Sequence, residues 1–270
     1  MKKKILIITL LVILGLLTVT LLYNKYFVSH KIKIYEYGII DNKLPSNFHG
    51  LKIVHFSDIH YGKSTSLNDI DNVVKKINEL KPDIVIFTGD LFSKDIKVKE
   101  KELQKIKVSL SRIKAKYSKY AIIGDNDLTF KDSFYQVFQD NYIILDNENS
   151  LFYITEETPI RITGINDISK EELFQEDDNL FNILITHKPD NIEKLKNKYN
   201  ICFAGHSMGG QIKLPFFGPL IKLKGAKTYV SGFYEIKDTK LYVNDGIGSQ
   251  NISMRVNNHP KINLYRLYSK

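Results

Sequence analysis

Leu51-Lys52-Ile53-Val54-His55-Phe56 runs straight into Ser57-Asp58-Ile59-His60. A short apolar run followed by a polar turn reads as a buried strand, here ending in a loop of carboxylate and imidazole. Working outward, the arrangement recurs. Residues 84–88 lead into Gly89-Asp90, and residues 120–123 into Gly124-Asp125-Asn126-Asp127. Residues 182–186 lead into His187, and residues 201–204 into Gly205-His206-Ser207-Met208-Gly209-Gly210-Gln211. Strand ends converge at one edge of a sheet, where α/β proteins bind ligands. Carboxylates with imidazoles suit first-row divalent ions such as Mn, Fe or Zn. The glycines allow the sharp turns that would bring these side chains to one centre.

The segments between these strands carry helical spacing. Leu67, Ile70, Val73, Val74, Ile77 and Leu80 form one apolar stripe, stopped at Lys81-Pro82-Asp83. Leu103, Ile106, Leu110 and Ile113 form a second. The first half is thus β-α-β-α-β, the pattern of a layered α/β fold. The second half is richer in strands, expected at 142–145, 152–155, 161–165, 182–186, 201–204, 229–236, 240–243 and 262–267. A helix is expected near 190–198. The predicted architecture is α/β: two facing mixed β-sheets flanked by helices, in one domain spanning 50–270.

That domain is preceded by a different kind of segment. Lys2, Lys3 and Lys4 are followed by an uncharged apolar run over residues 5–23. About 19 residues of helix cross a hydrocarbon core of about 30 Å. No small-x-small cleavage site follows, so residues 1–30 read as an uncleaved signal anchor and tether, one transmembrane helix in the cell membrane. Residues 31–49 read as a linker leading to the domain. The lysines at the start favour a cytoplasmic N-terminus and an extracytoplasmic domain, although Lys25, Lys31 and Lys33 nearly balance the flanks. Of the formal net charge of +9, six positive charges lie in residues 1–35. The rest carries too small an excess, with no basic run interleaved with aromatics, for a nucleic-acid partner. The basic flanks suit anionic lipid headgroups. The lone Cys202 has no partner for an internal disulfide.

The ordered loops resemble the motifs of the calcineurin-like metallophosphoesterase superfamily: D-x-H, G-D, G-N-H-D, a lone H, then G-H-x-H, each after a strand. The bacterial membrane-associated branch carries G-H-T-H-G-G-Q-[IV]-x-[LI]-P, and residues 205–215 of this chain resemble it. That resemblance implies a four-layer fold and one or two divalent ions. Asp58, His60 and a bridging Asp90 would form one centre; Asp90, Asp125, His187 and His206 would form the other. It also implies in-line attack of hydroxide on phosphorus. Three positions depart from the pattern. Asp125 stands where the family has a ligand asparagine. Asn126 stands where it has a histidine near the leaving group, an altered general-acid position. Met208 stands where it has the last histidine, and a thioether does not suit Mn or Mg. Asp245 replaces an arginine of the relatives' Y-V-[NS]-R-G motif.

The expected function is metal-dependent hydrolysis of phosphoester or pyrophosphate bonds, on a membrane-associated substrate. Asn126 and Met208 motivate an alternative: a degenerate, non-catalytic phosphoesterase fold that binds a metal or phosphate ligand. Asp127 is expected to support the site from behind and His55 to be packed. Phe216-Phe217 reads either as loop packing or as an apolar lip over the site facing a lipid substrate.

Overall fold

A computed structural model describes residues 2–166, 168–169, 179–195, 198–250 and 252–270. Helix α1 (Lys2–Tyr26) is followed by β1 (Lys33–Asp41), β2 (Lys52–Phe56), α2 (Leu67–Leu80), β3 (Ile84–Phe87), α3 (Glu100–Ser111), β4 (Ser118–Ala121), α4 (Lys131–Phe138) and β5 (Ile143–Ile144). The second half contains β6 (Glu148–Phe152), β7 (Ile160–Ile165), β8 (Phe181–Thr186), α5 (Ile192–Leu195), β9 (Ile201–Ala204), β10 (Lys213–Leu214), β11 (Gly218–Pro219), β12 (Gly232–Ile236), β13 (Thr239–Val243) and β14 (Lys261–Ser269).

Two six-stranded mixed sheets result, in the orders β1-β14-β2-β3-β4-β5 and β12-β13-β9-β8-β7-β6. Their central strands are apolar on both faces because both faces are covered. In β3, Ile84 and Ile86 point between the sheets, while Val85 and Phe87 lie under the helices. In β8, Ile183 and Ile185 join the core between the sheets, and Leu184 packs outward against Ile192 and Leu195 of α5. The expected four layers follow from this alternation.

α2 shows how local chemistry sets the helices. Ser66 caps it in a box with Asp69, and Ile70, Val73, Val74 and Ile77 are buried. Lys81 ends it in a left-handed conformation, φ 49°, and Pro82 follows. Parallel pairing then sets the height of the loops. Phe56 lies opposite Phe87, and Phe87 opposite Ala121. On the other sheet Thr186 lies opposite Ala204. The ligand-type loops therefore leave their sheets at one level.

The structure differs from the sequence reading in several places. Residues 31–49, expected as a linker, contain β1, paired along its whole length with β14. α4 lies where no helix was expected, burying Phe134, Val137 and Phe138. The expected strand at 152–155 is β6, which ends at Phe152. The helix expected over 190–198 begins as a turn of 3-10 helix, Pro189–Asn191, before α5; positions 196 and 197 lie outside the described residues.

α1 is exposed along its length except at Asn24. Among the described residues it is the helix long and apolar enough to cross a membrane. Its threonine hydroxyls are satisfied internally: Thr9, Thr18 and Thr20 donate to the carbonyls of Ile5, Leu14 and Leu16. Its base is packed on the domain, since Asn24 Oδ1 accepts from Asn257 N at 3.1 Å and Ser29 Oγ from Arg255 N at 2.7 Å.

Candidate metal centre

The loops after β2, β3, β8 and β9 bring five side chains together. Asp58, His60, Asp90, His187 and His206 are all buried. Potential ligand atoms of Asp58, His60 and Asp90 lie within 4.8 Å of one another, as do those of Asp90, His187 and His206. Asp90 belongs to both groups. Its Oδ2 lies 3.8 Å from His60 Nε2 and 3.4 Å from His187 Nε2.

The backbone is strained to achieve this. Asp58 (φ 51°), His60 (φ 51°), Asp90 (φ 60°) and His206 (φ 64°) are all left-handed without being glycine. That conformation costs roughly 1–2 kcal/mol per residue and persists only where its surroundings impose it, typically at functional sites. The loops also approach very closely. A Cβ on Gly124 would lie 2.2 Å from Asp90 N and 2.3 Å from Asp90 Oδ1. Only glycine fits there.

Hydrogen bonds fix the imidazoles. His187 Nδ1 donates to Thr88 O at 2.7 Å, and His206 Nε2 donates to Lys224 O at 2.9 Å. Each carbonyl selects the tautomer and leaves the other ring nitrogen with its lone pair toward the centre. Those nitrogens, His187 Nε2 and His206 Nδ1, face each other at 3.2 Å beside Asp90. Two lone pairs repel unless a cation lies with them. The surroundings favour positive charge at this point: burial works against the His187 imidazolium, yet the carboxylates of Asp90, Asp58 and Asp125 raise its pKa to about 10. His60 Nε2 is buried without a hydrogen-bond partner, 3.9 Å from Asp58 Oδ1. Two donors each about 2.1 Å from a tetrahedral ion lie roughly 3.4 Å apart. The separations therefore fit a divalent ion in each group.

The surrounding groups orient the carboxylates. Asp58 Oδ2 accepts from His206 N at 2.9 Å and from the Ser57 hydroxyl. Burial pushes the Asp58 carboxyl up to about 7, which is the cost an ion would relieve. Asp127 is fully buried; it accepts from Asp90 N at 2.8 Å and Gly124 N at 3.1 Å, tying two ligand loops together. His55 is packed between the sheets with Nε2 2.8 Å from Thr88 Oγ1, and burial lowers its pKa to about 3.

The altered positions behave differently from one another. Asp125 stays at the rim, its side chain 40% exposed, with Oδ1 2.7 Å from Lys188 Nζ and Oδ2 3.9 Å from His206 Nδ1. Asn126 grips Asp90: its backbone N donates to Oδ1 and its Nδ2 to Oδ2, both at 2.8 Å. Met208 is buried in the turn after His206, and its carbonyl accepts from Asn258 Nδ2 at 2.7 Å. The buried Asp245 is balanced by Lys261 at 2.6 Å and Lys213 at 3.2 Å.

Two residues escaped the sequence reading. Lys188 had a legible signal, as a cation directly following His187. Arg255 had none, being one arginine in a polar loop. It is fully buried, and donates from Nε to Gly248 O and from Nη2 to Asp245 O, each at 2.7 Å. Beside the centre lies a cleft of about 380 Å³ lined by residues including Asp125, Leu128, Asn166 and Lys188.

A family model described as calcineurin-like phosphoesterase matches residues 51–210. YkuE, an uncharacterized metallophosphoesterase of Bacillus subtilis, is 31% identical over 92% of this chain and 89% of its own. LpxG of Chlamydia muridarum, a UDP-2,3-diacylglucosamine pyrophosphatase, is 26% identical over 77% of this chain and 82% of its own. A transmembrane protein with metallophosphoesterase domain from Danio rerio is 25% identical over 85% of this chain and 56% of its own.

Proposed function

The chain belongs to the calcineurin-like phosphoesterase family, and from that premise we propose that it hydrolyses phosphoester or pyrophosphate bonds with divalent metal ions. We place α1 in the cell membrane, the domain outside the cytoplasm, and the substrate at that membrane. The single observation that carries the reaction is the pair of imidazole nitrogens, His187 Nε2 and His206 Nδ1, turned toward each other 3.2 Å apart beside Asp90. Similarity to a pyrophosphatase named for a diacylated nucleotide sugar supports the choice of substrate.

In this reading Asp58, His60 and Asp90 hold one ion, and Asp90, His187, His206 and Asp125 a second. Mn, Fe and Zn suit these donors. Bound ions of this class polarise a phosphoryl oxygen and lower the pKa of a water molecule. The chain's own groups do the rest. Lys188 offsets the charge of a phosphate entering the cleft, and the cleft receives the leaving group. Asn126 supplies a hydrogen-bond donor but no acid, so leaving groups that depart without a proton are favoured.

A second reading, a phosphate- or metal-binding fold without turnover, is favoured by Asn126 gripping both oxygens of Asp90. Metal content and hydrolysis of bis(p-nitrophenyl) phosphate, measured on the full chain in detergent, separate the two. Metal-dependent turnover abolished by His206→Ala and Asp90→Asn supports hydrolysis. Bound metal with no turnover of aryl, alkyl or pyrophosphate substrates supports the second reading.

A further inference from the structure

We propose that the hairpin of β10 and β11 inserts its tip into the bilayer that holds α1. The centre then works at headgroup level, on phosphate groups carried by amphiphiles. This rests on α1 as a membrane span and deepens the substrate reading above.

The tip is Pro215-Phe216-Phe217, closed by the pairing of Leu214 with Gly218. Phe216 and Phe217 are 105% and 84% exposed, and Leu220 beside them is 57% exposed. Phe216 is left-handed, φ 67°, an uncommon conformation for a bulky residue. Two adjacent aromatic rings held in water form an exposed apolar surface that marks an interaction site.

The position of the hairpin says which partner. Lys213 N donates to Val256 O at 2.9 Å, and Val256 N to Gln211 O at 3.1 Å. The residues on either side of Val256 hold the base of α1: Arg255 N donates to Ser29 Oγ and Asn257 N to Asn24 Oδ1. The root of the hairpin and the end of the helix thus share one short segment. An extended strand advances about 3.3 Å per residue, so the tip lies within roughly 10 Å of that root. At the same end of α1, Tyr23 and Phe27 stack with ring centroids 5.5 Å apart, an aromatic pair suited to the headgroup region. The segment 212–230 contains no acidic residue, and Lys222, Lys224 and Lys227 are exposed on it. Such lysines favour an anionic lipid surface.

The hairpin is also continuous with the site. It leaves from the loop of His206 and returns at Leu220, whose N donates to Ile212 O at 2.9 Å. Four residues later Lys224 O holds His206 Nε2. Next to it, a Cβ on Gly225 would lie 2.8 Å from the Lys188 stem. Insertion of the tip therefore fixes the cleft beside the lipid surface.

The chain contains no tryptophan, so Phe216→Trp introduces a single reporter. The full-length variant is placed in nanodiscs of phosphatidylcholine and phosphatidylglycerol. Blue-shifted emission, quenched by lipids brominated near the headgroup end of the acyl chain, is the expected result. Water-like emission, quenched by iodide and not by brominated lipid, overturns the insertion. Phe216→Asp combined with Phe217→Asp is then expected to keep turnover of bis(p-nitrophenyl) phosphate while losing roughly tenfold or more on a phosphorylated lipid in the same bilayer. Equal losses on both substrates overturn the link between hairpin and substrate. Absence of turnover on both, in wild type, contradicts the hydrolase reading alone, and the fluorescence still decides the insertion.

Discussion

Replacing Lys188 by methionine tests how Asp125 is shared between a salt bridge and a metal ion. The ammonium lies 2.7 Å from Asp125 Oδ1, while the other oxygen is 3.9 Å from His206 Nδ1. An ion beside His206 draws on the same carboxylate that Lys188 already neutralises. The two side chains are 35% and 40% exposed, so water screens the pair and its worth is roughly 0.2–1 kcal/mol. Removing that competition tightens ion binding by a factor of about 1.4–5 at 25 °C. Methionine keeps an unbranched stem across Gly225, so the loop keeps its packing. Competition against a chromophoric chelator for Zn or Mn, at several salt concentrations, measures the effect. The variant is expected to bind metal more tightly at low salt, with the difference shrinking as salt rises. Its turnover is expected to fall, because the cleft loses the lysine that faces the phosphate. Unchanged or weaker metal binding at low salt would refute the competition between Lys188 and the ion.

Three further outcomes are expected. Gly124→Ala forces a methyl group against Asp90 N and Oδ1, so urea unfolding should show a loss of about 1–3 kcal/mol and metal analysis a depleted centre; full metal retention would contradict the close approach. Burial raises the Asp245 carboxyl, but Lys261 and Lys213 outweigh it and hold it below its ordinary value. Its stabilisation is therefore complete above about pH 4 and is lost as pH falls through the depressed value. Asp245→Asn should cost about 3 kcal/mol at neutral pH and show a flatter acid limb than wild type in denaturant titrations. Finally, Asn126→His with Met208→His should raise turnover more on alkyl than on aryl esters, since acid help is worth about 10²–10⁴-fold. A folded double variant with two bound ions and no gain on either substrate would contradict the roles given to these positions.

Much of the fold was legible because its central strands are buried on both faces and stand out as apolar runs before polar turns. β1 was not legible. It is an edge strand whose first residues are exposed, so its lysine, tyrosines and glutamate read as a tether. α4 is short and aromatic-rich, and its eight residues give too little period to distinguish helix from strand. The gathering of Asp58, His60, Asp90, His187 and His206 was readable because each lies in the loop that follows a strand. What the sequence withheld were partners distant along the chain. The grip of Asn126 on Asp90 and the lysines around Asp245 depend on loop geometry that only tertiary packing creates. The buried Arg255, which spans three carbonyls, depends on it equally.

The most direct test of the metal centre is an anomalous-scattering map from crystals of the full chain grown with Mn or Zn. Peaks between Asp90, His187 and His206, and between Asp58, His60 and Asp90, are the expected result. A map with no peak within coordination distance of these side chains would contradict the account.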